Sequence, residues 1–149
     1  MEFWENFTDQ DRAMIKRAIE VAETDTSGEI RIHIENRCKE DPFDRAAFVF
    51  SKLGMHKTAA RNGVLFYVAV KDQKLVILGD AGINQVVPEN FWNDIITMVL
   101  DYFREGKIEE GLVEGIRQAG KQLREHFPYQ RDDVNELDNN ISFGEDVEL

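Results

Sequence analysis

At 149 residues the chain has the length of one ordinary globular domain, enough to bury roughly two-thirds of the surface its unfolded form exposes. Apolar residues make up 42% and charged residues 32%, near globular averages, so the body is expected to fold without disulfides or a partner. The net charge of −11 repels phosphate backbones, which argues against nucleic acid as a ligand and favours cations or basic partners. Residues 128–149 carry seven acids against Arg131 alone, and the bland reading of that excess is solubility.

The opening MEFWENFTDQ has no basic region leading into an apolar core, and the longest strongly apolar run, Val64 to Val70, is far short of the ~20 residues that span a bilayer. An unanchored cytoplasmic protein, making no membrane contact, is the expectation. The one cysteine, Cys38, has no partner for a disulfide, no paired spacing for zinc and no marked activating base, so it reads as a packing residue.

In chain order, residues 8–23 read as a first helix. Thr8 is the N-cap, acids sit at Asp9 and Asp11 in the first turn, and Ile15, Ala18, Ile19 and Ala22 form the buried stripe. Phe3, Trp4 and Phe7 are expected to fold back on it as a hydrophobic staple. Glu29 to Asn36 alternates strictly, which predicts a strand with Ile30, Ile32 and Ile34 facing a core and Glu29, Arg31, His33 and Glu35 on a polar face. Pro42 opens a second helix, about Phe43 to Leu53, with Ala46, Ala47, Phe50 and Leu53 turned inward.

Val64–Val70 is apolar on both faces and reads as the central strand; Lys74–Gly79 returns beside it as a hairpin. Asp80-Ala81-Gly82-Ile83 reads as a tight exit loop. A third helix is expected from Pro88 to about Glu105, and a fourth from about Glu109 to Phe127, burying Leu112, Val113, Ile116, Ala119 and Leu123. Beyond Pro128, the apolar residues Val134, Leu137, Ile141 and Phe143 are too scattered to predict a core element, so residues 128–149 are taken as an acidic, flexible tail on a domain of residues 1–127.

The order α-β-α-β-β-α-α predicts an α/β fold. A right-handed crossover makes the first two strands parallel, the third runs antiparallel to the second, and helices cover both faces. Three points then share one end of the sheet: Thr26–Glu29, Arg61–Gly63 and Gly79–Gly82. Glu29, Asn62 and Asp80 are thereby gathered from remote stretches, with Glu89 and Asp94 following at the next helix. Carboxylates, an amide oxygen and loop carbonyls suit a hard divalent cation, Ca²⁺ better than Mg²⁺ where loop geometry is irregular. The same residues also admit plainer roles: Glu29 as an ion-pair partner of Arg61, Asp80 as a turn cap, Asn62-Gly63 as a turn. His33, His56 and His126 do not form a shared transition-metal site on spacing, and there is no EF-hand loop, P-loop, GxGxxG or GxSxG.

The segments TSGEIRIHIE, RNGVLFYVAV, KLVILGDAGI and EEGLVEGIRQAGKQL, in that order, resemble the TPM domain family over roughly residues 8–127, and DDVNEL is similar to its stand-alone bacterial branch. The resemblance implies a Rossmann-like three-layer α/β/α sandwich with a small mixed sheet. It implies calcium binding, here carried onto Glu29, Asn62, Asp80 and Asp94. It brings in a plant relative acting in photosystem II repair that is described as an acid phosphatase. Many members carry a signal peptide and a C-terminal membrane helix, features the expected cytoplasmic protein lacks. Where many members have a glycine-aromatic-glycine loop this chain has GDAGI, and the added carboxylate of Asp80 favours a cation. The leading expectation is a monomeric calcium-binding module with a regulatory or assembly role. The alternatives are a metal-assisted phosphatase acting on phosphomonoesters, with Arg61, Lys57 and His56 supplying positive charge, and a pure protein-interaction domain whose partner the residues do not name.

Overall fold

The computed structural model describes residues 8–129, 137 and 139–144. The proposed staple residues Phe3, Trp4 and Phe7, and Val134 of the tail, lie outside them. Helix α1 (Asp9–Glu23) begins at Thr8, whose hydroxyl accepts from Asp11 N at 3.0 Å while Asp11 Oδ2 accepts from Thr8 N at 3.0 Å. That reciprocal cap satisfies two otherwise orphaned donors. Strand β1 (Glu29–Glu35), helix α2 (Pro42–Lys52), strand β2 (Gly63–Ala69) and strand β3 (Lys74–Gly79) follow. The β2–β3 turn closes with Gln73 at φ 51°.

The sheet order is β3-β2-β1-β4. Strands β1 and β2 are parallel from Glu29↔Gly63 to Glu35↔Ala69, and β2 and β3 antiparallel from Val64↔Gly79 to Ala69↔Lys74, as the crossover argument requires. One face packs Ile30, Ile32, Ile34, Val64, Phe66 and Val68 against α1 and two later helices, α4 (Asn93–Arg104) and α5 (Ile108–His126). Each fully buried isoleucine contributes about 1.5–3 kcal/mol. The other face packs Leu65, Tyr67 and Ala69 against Val49 and Phe50 of α2 and against Met55, which sits in the short 3₁₀ turn Met55–Lys57. The molecule is thus a three-layer α/β/α sandwich on a small mixed sheet.

Four expectations need correction. The third long helix starts at Asn93 rather than Pro88: Phe91 N bonds to Pro88 O and Asn93 N to Asn90 O, three-residue turns that delay the regular i+4 ladder until Ile96 N bonds to Trp92 O. The exit loop after β3 is a short helix, α3 (Ala81–Asn84), capped by Asp80. On α2, Ala47 is exposed, and the inward positions belong to Arg45, Ala46, Val49 and Phe50. Lastly, the tail does supply a core element: Ser142–Phe143 form β4, parallel to β1 at His33 and Ile34, with Leu137 and Phe143 buried. A strand edge offers a ready row of donors and acceptors, so even two residues carrying one aromatic anchor find a place on it.

The polar face of β1 is also covered. Glu29, His33 and Glu35 are 4%, 0% and 7% exposed: Arg45 of α2 meets Glu35, while Leu137 and Ser142 of the C-terminal segment meet Glu29 and His33. Buried charge must be paired, and Glu35 is the hub. It accepts from Arg45 Nε at 3.1 Å and from Arg45 Nη2, from His33 Nε2 at 3.0 Å, and from the Tyr67 hydroxyl at 2.6 Å. A carboxylate only accepts, so Nε2 of His33 carries the proton; in the neutral ring Nδ1 then accepts from the Ser142 hydroxyl, 2.8 Å away. Burial alone would raise the Glu35 carboxyl, but the bonds from His33, Arg45 and Tyr67 outweigh it and hold it at about 2. Tyr67 is pushed well above the usual phenol range, by burial first and then by its bonds to Cys38 and Glu35. Cys38 itself is buried, its thiol donating to Glu40 O at 3.2 Å.

Two outcomes follow. Glu35→Gln lowers stability at neutral pH by about 3 kcal/mol, because Arg45 is left buried against a neutral amide. The folded carboxyl sits at about 2 against an ordinary 4.5, so its contribution is complete above the higher value and lost as pH falls towards the lower. Urea midpoints of wild type and variant converge on acidification; an undiminished gap at about pH 2 contradicts the pairing. Phe143→Ala costs about 3 kcal/mol by the same measurement, and a loss below about 1 kcal/mol excludes β4 from the cooperative core.

Candidate functional site

The shared sheet end forms where β1 and β2 begin and β3 finishes. Glu29 N donates to Asn62 O at 3.2 Å and Asp80 N to Gly63 O at 2.9 Å, so three remote segments are stitched through backbone. Next to them the loop 58–62 closes on itself: Asn62 N donates to Thr58 Oγ1 at 3.2 Å, and Arg61 takes φ 51°. Gly82 is obligatory here. Its N–H donates to Arg61 O at 2.9 Å, and a Cβ at that position would stand 2.2 Å from Ala60 O, so any side chain forces the two loops apart.

Asp80 is 7% exposed and accepts three bonds: Arg61 Nε at 2.7 Å, Arg61 Nη2 at 2.9 Å, and Ala81 N at 2.7 Å as the cap of α3. Burial opposes ionisation, but the Arg61 fork and the Ala81 amide prevail and hold the carboxyl below its ordinary range, with His56 adding positive potential. Arg61 therefore pairs with Asp80 and not with Glu29 as one sequence-based alternative had it; its side chain is 50% exposed. Glu29, 4% exposed, points its carboxylate at the tail, where Oε1 accepts from Leu137 N at 2.7 Å. Asn62 is 3% exposed; its Nδ2 donates to Ser27 O at 2.9 Å, while Oδ1 is buried with no hydrogen-bond partner among the described residues. An unpaired buried carbonyl oxygen costs about 1–3 kcal/mol, so this atom invites a donor or a cation.

Glu29, Asn62 and Asp80 thus share one sheet end. Asp94 is exposed in the first turn of α4 and lines a groove with Thr97, Met98, Asp101 and Tyr102. Glu89 is exposed in the turn before α4. Among the described residues no three His, Cys, Asp or Glu side chains cluster closely enough to hold a metal ion by themselves, so any cation here must draw on amide and backbone oxygens. The donor set of two carboxylates, one orphaned amide oxygen and loop carbonyls fits a hard cation and does not fit a soft one.

Sequence reasoning missed Glu23. Its Oε2 accepts from Ile30 N at 2.8 Å, plugging the open edge of β1, and burial, with Glu29's charge nearby, pushes its carboxyl up to about 7. The available signal was position: an acid in the last turn of a helix opposes the dipole and implies a specific partner.

A sequence model described as the TPM domain matches residues 4–122. Among solved structures, the chain is similar to the BA42 protein of the psychrophilic bacterium Bizionia argentinensis, with 46% identity and a TM-score of 0.89 over 95% of this chain and 98% of that one. It shares its fold with the N-terminal domain of the cg2496 protein of Corynebacterium glutamicum (11% identity, TM-score 0.63, covering 80% and 75%). The same holds for the N-terminal domain of a P. gingivalis protein (15% identity, TM-score 0.68, covering 83% and 82%). No curated protein matches the chain. Among the described residues, no helix is long and apolar enough to cross a membrane.

Proposed function

Since the chain belongs to the TPM domain family, we propose that it is a divalent-cation module, Ca²⁺ its preferred ion and Mg²⁺ a weaker one, with a regulatory or assembly role and no obligatory catalysis. The observation that carries this reading is the buried, unpartnered Asn62 Oδ1 at the same sheet end as two buried carboxylates. Asp80 is the principal charged donor, Glu29 the second, and Asn62 Oδ1 the neutral oxygen; Asp94, exposed on α4, is a further candidate donor. Arg61 supplies Asp80 with positive charge from a half-exposed position, so its guanidinium can turn to solvent as an ion takes its place at the buried carboxylate. Cation entry is then an exchange, Arg61 giving up its carboxylate. Irregular loop geometry favours Ca²⁺, which takes six to eight oxygens, over the strict octahedron of Mg²⁺.

A second reading, metal-assisted hydrolysis of phosphomonoesters, is favoured by one observation. His56, Lys57 and Arg61 are exposed together on the loop facing Asp80, a local basic patch in an acidic chain. It requires aryl phosphate turnover that disappears in Asp80→Asn.

Calcium at a hundredfold excess over Kd stabilises the fold by about 2.7 kcal/mol, a rise of roughly 5–10 °C in Tm. The amides of residues 27–29, 61–63 and 79–82 move during the titration. Arg61→Gln tightens binding by freeing the carboxylate, and Asp80→Asn abolishes it. No thermal shift at millimolar Ca²⁺ in either wild type or Arg61→Gln removes the proposal.

A further inference from the structure

Helix α1 is apolar on more than the face it buries. Ile15, Ile19 and Ala22 enter the core, yet Met14 and Val21 are 46% and 47% exposed, at positions the core does not use. They lie beside α5, which runs alongside α1 in the same direction: Asp11 is near Glu109 at one end, and Ala22 meets Gly120 at the other. Between the two helices lies a groove of about 440 Å³, floored by Ala13, Met14, Ala18 and Val21 of α1 and by Val113 and Gly120 of α5. Its rim carries Arg17, Arg117 and Lys121 against a single acid, Asp25.

From this we infer that the α1–α5 groove is a docking surface for an amphipathic helix of a partner protein whose flanks are acidic. Two parallel helices leave between them a trough of the shape a third helix fills, at an axial distance of 8–10 Å. The small residues Ala13 and Ala18 let that third backbone come close, while Gly120 lets α5 pack tightly on Ala22 of α1. Helix α1 has 15 residues, so the trough is roughly 22 Å long and admits about four helical turns. The partner's sign follows from charge. In a chain of net −11, this rim is neutral even with Glu20 and Glu114 counted beside Asp25, a local relief of negative charge whose three bases accept acidic flanks. Arg17 stands 3.7 Å from Glu20, and Arg117 is bonded to Glu114, but both arginines are more than half exposed. Such pairs contribute little and re-form readily with an incoming carboxylate. The recognition mode is helix-in-groove, with apolar anchors at i, i+3, i+4 and i+7. The surface is distinct from the sheet end that holds Asp80.

The test is a titration of the methyl-labelled full chain with a synthetic peptide of about four helical turns, leucines on one face and glutamates flanking them. Saturable shifts are expected at the Met14, Val21 and Val113 methyls, with affinity falling on adding salt. The Ile30, Ile32 and Ile34 methyls stay unmoved. Val21→Asp, at an exposed position, keeps the core spectrum and weakens binding at least about tenfold; the same peptide with lysines for glutamates binds at least about tenfold more weakly. Absence of shifts, or equal binding of the lysine peptide, overturns the inference. So do the same shifts produced by concentration alone (a second copy of the chain) or by anionic vesicles (a lipid surface), and so do contacts from residues 1–7 that already fill the groove in the free protein.

Discussion

Strand β1 is buried on both faces while one of those faces is charged, and most of the molecule is arranged around that constraint. Removing Glu29, His33 and Glu35 from water is tolerable only if each finds a partner, since an unpaired buried charge costs several kcal/mol. Glu35 takes Arg45, which fixes the seat of α2 across the sheet, and takes Tyr67, which ties β1 to β2. His33 takes Ser142, and Glu29 takes the Leu137 amide, so the C-terminal strand is recruited by the same face. Three apolar side chains hold β1 from one side and three polar ones from the other. The two sides act differently: apolar burial supplies most of the stabilisation, whereas the polar pairs decide which segments lie where.

The candidate cation site is a product of chain direction. Parallel β1–β2 and antiparallel β2–β3 bring the entrances of two strands and the exit of a third to one edge, with Asp80 bonded through its amide to Gly63 and Glu29 through its own to Asn62. What chain direction cannot supply is charge balance, and the loop 58–62 provides it by presenting Arg61 to Asp80. A buried carboxylate neutralised by a half-exposed base thus shares a sheet end with an amide oxygen that has no donor among the described residues. On the proposed reading two states compete for that carboxylate, one balanced by the internal guanidinium and one by an external ion. Belonging to the TPM domain family is consistent with either, and the 46% identity to the BA42 protein fixes the fold, not the ligand.

Much of this was legible in the residues alone. Strict alternation in EIRIHIE, the doubly apolar VLFYVAV and the short return KLVILG specify three strands and their directions, because side-chain period and crossover handedness leave few alternatives. The convergence of Glu29, Asn62 and Asp80 follows from that topology. The covered polar face did not emerge, since alternation reports which side is polar and says nothing of whether that side meets water. A clue stood in α2, where Arg45 shares the inward stripe with Ala46, Val49 and Phe50; a charged residue on a buried stripe implies a buried partner, and His33 and Glu35 share one face across the way. The tail strand was invisible for another reason. Two residues carry no period, and only the vacancy along β1 makes Ser142 and Phe143 a strand.

Most direct as a test of the buried polar face is the ¹⁵N spectrum of the His33 ring in the full chain near neutral pH. An Nε2 proton held towards Glu35 and slow to exchange with solvent, on a ring fixed in one orientation with Nδ1 towards Ser142, is the result the structure requires. Averaged nitrogen shifts, typical of an imidazole turning freely in water, would show that β1 presents its polar face to solvent and would contradict the whole arrangement built on it.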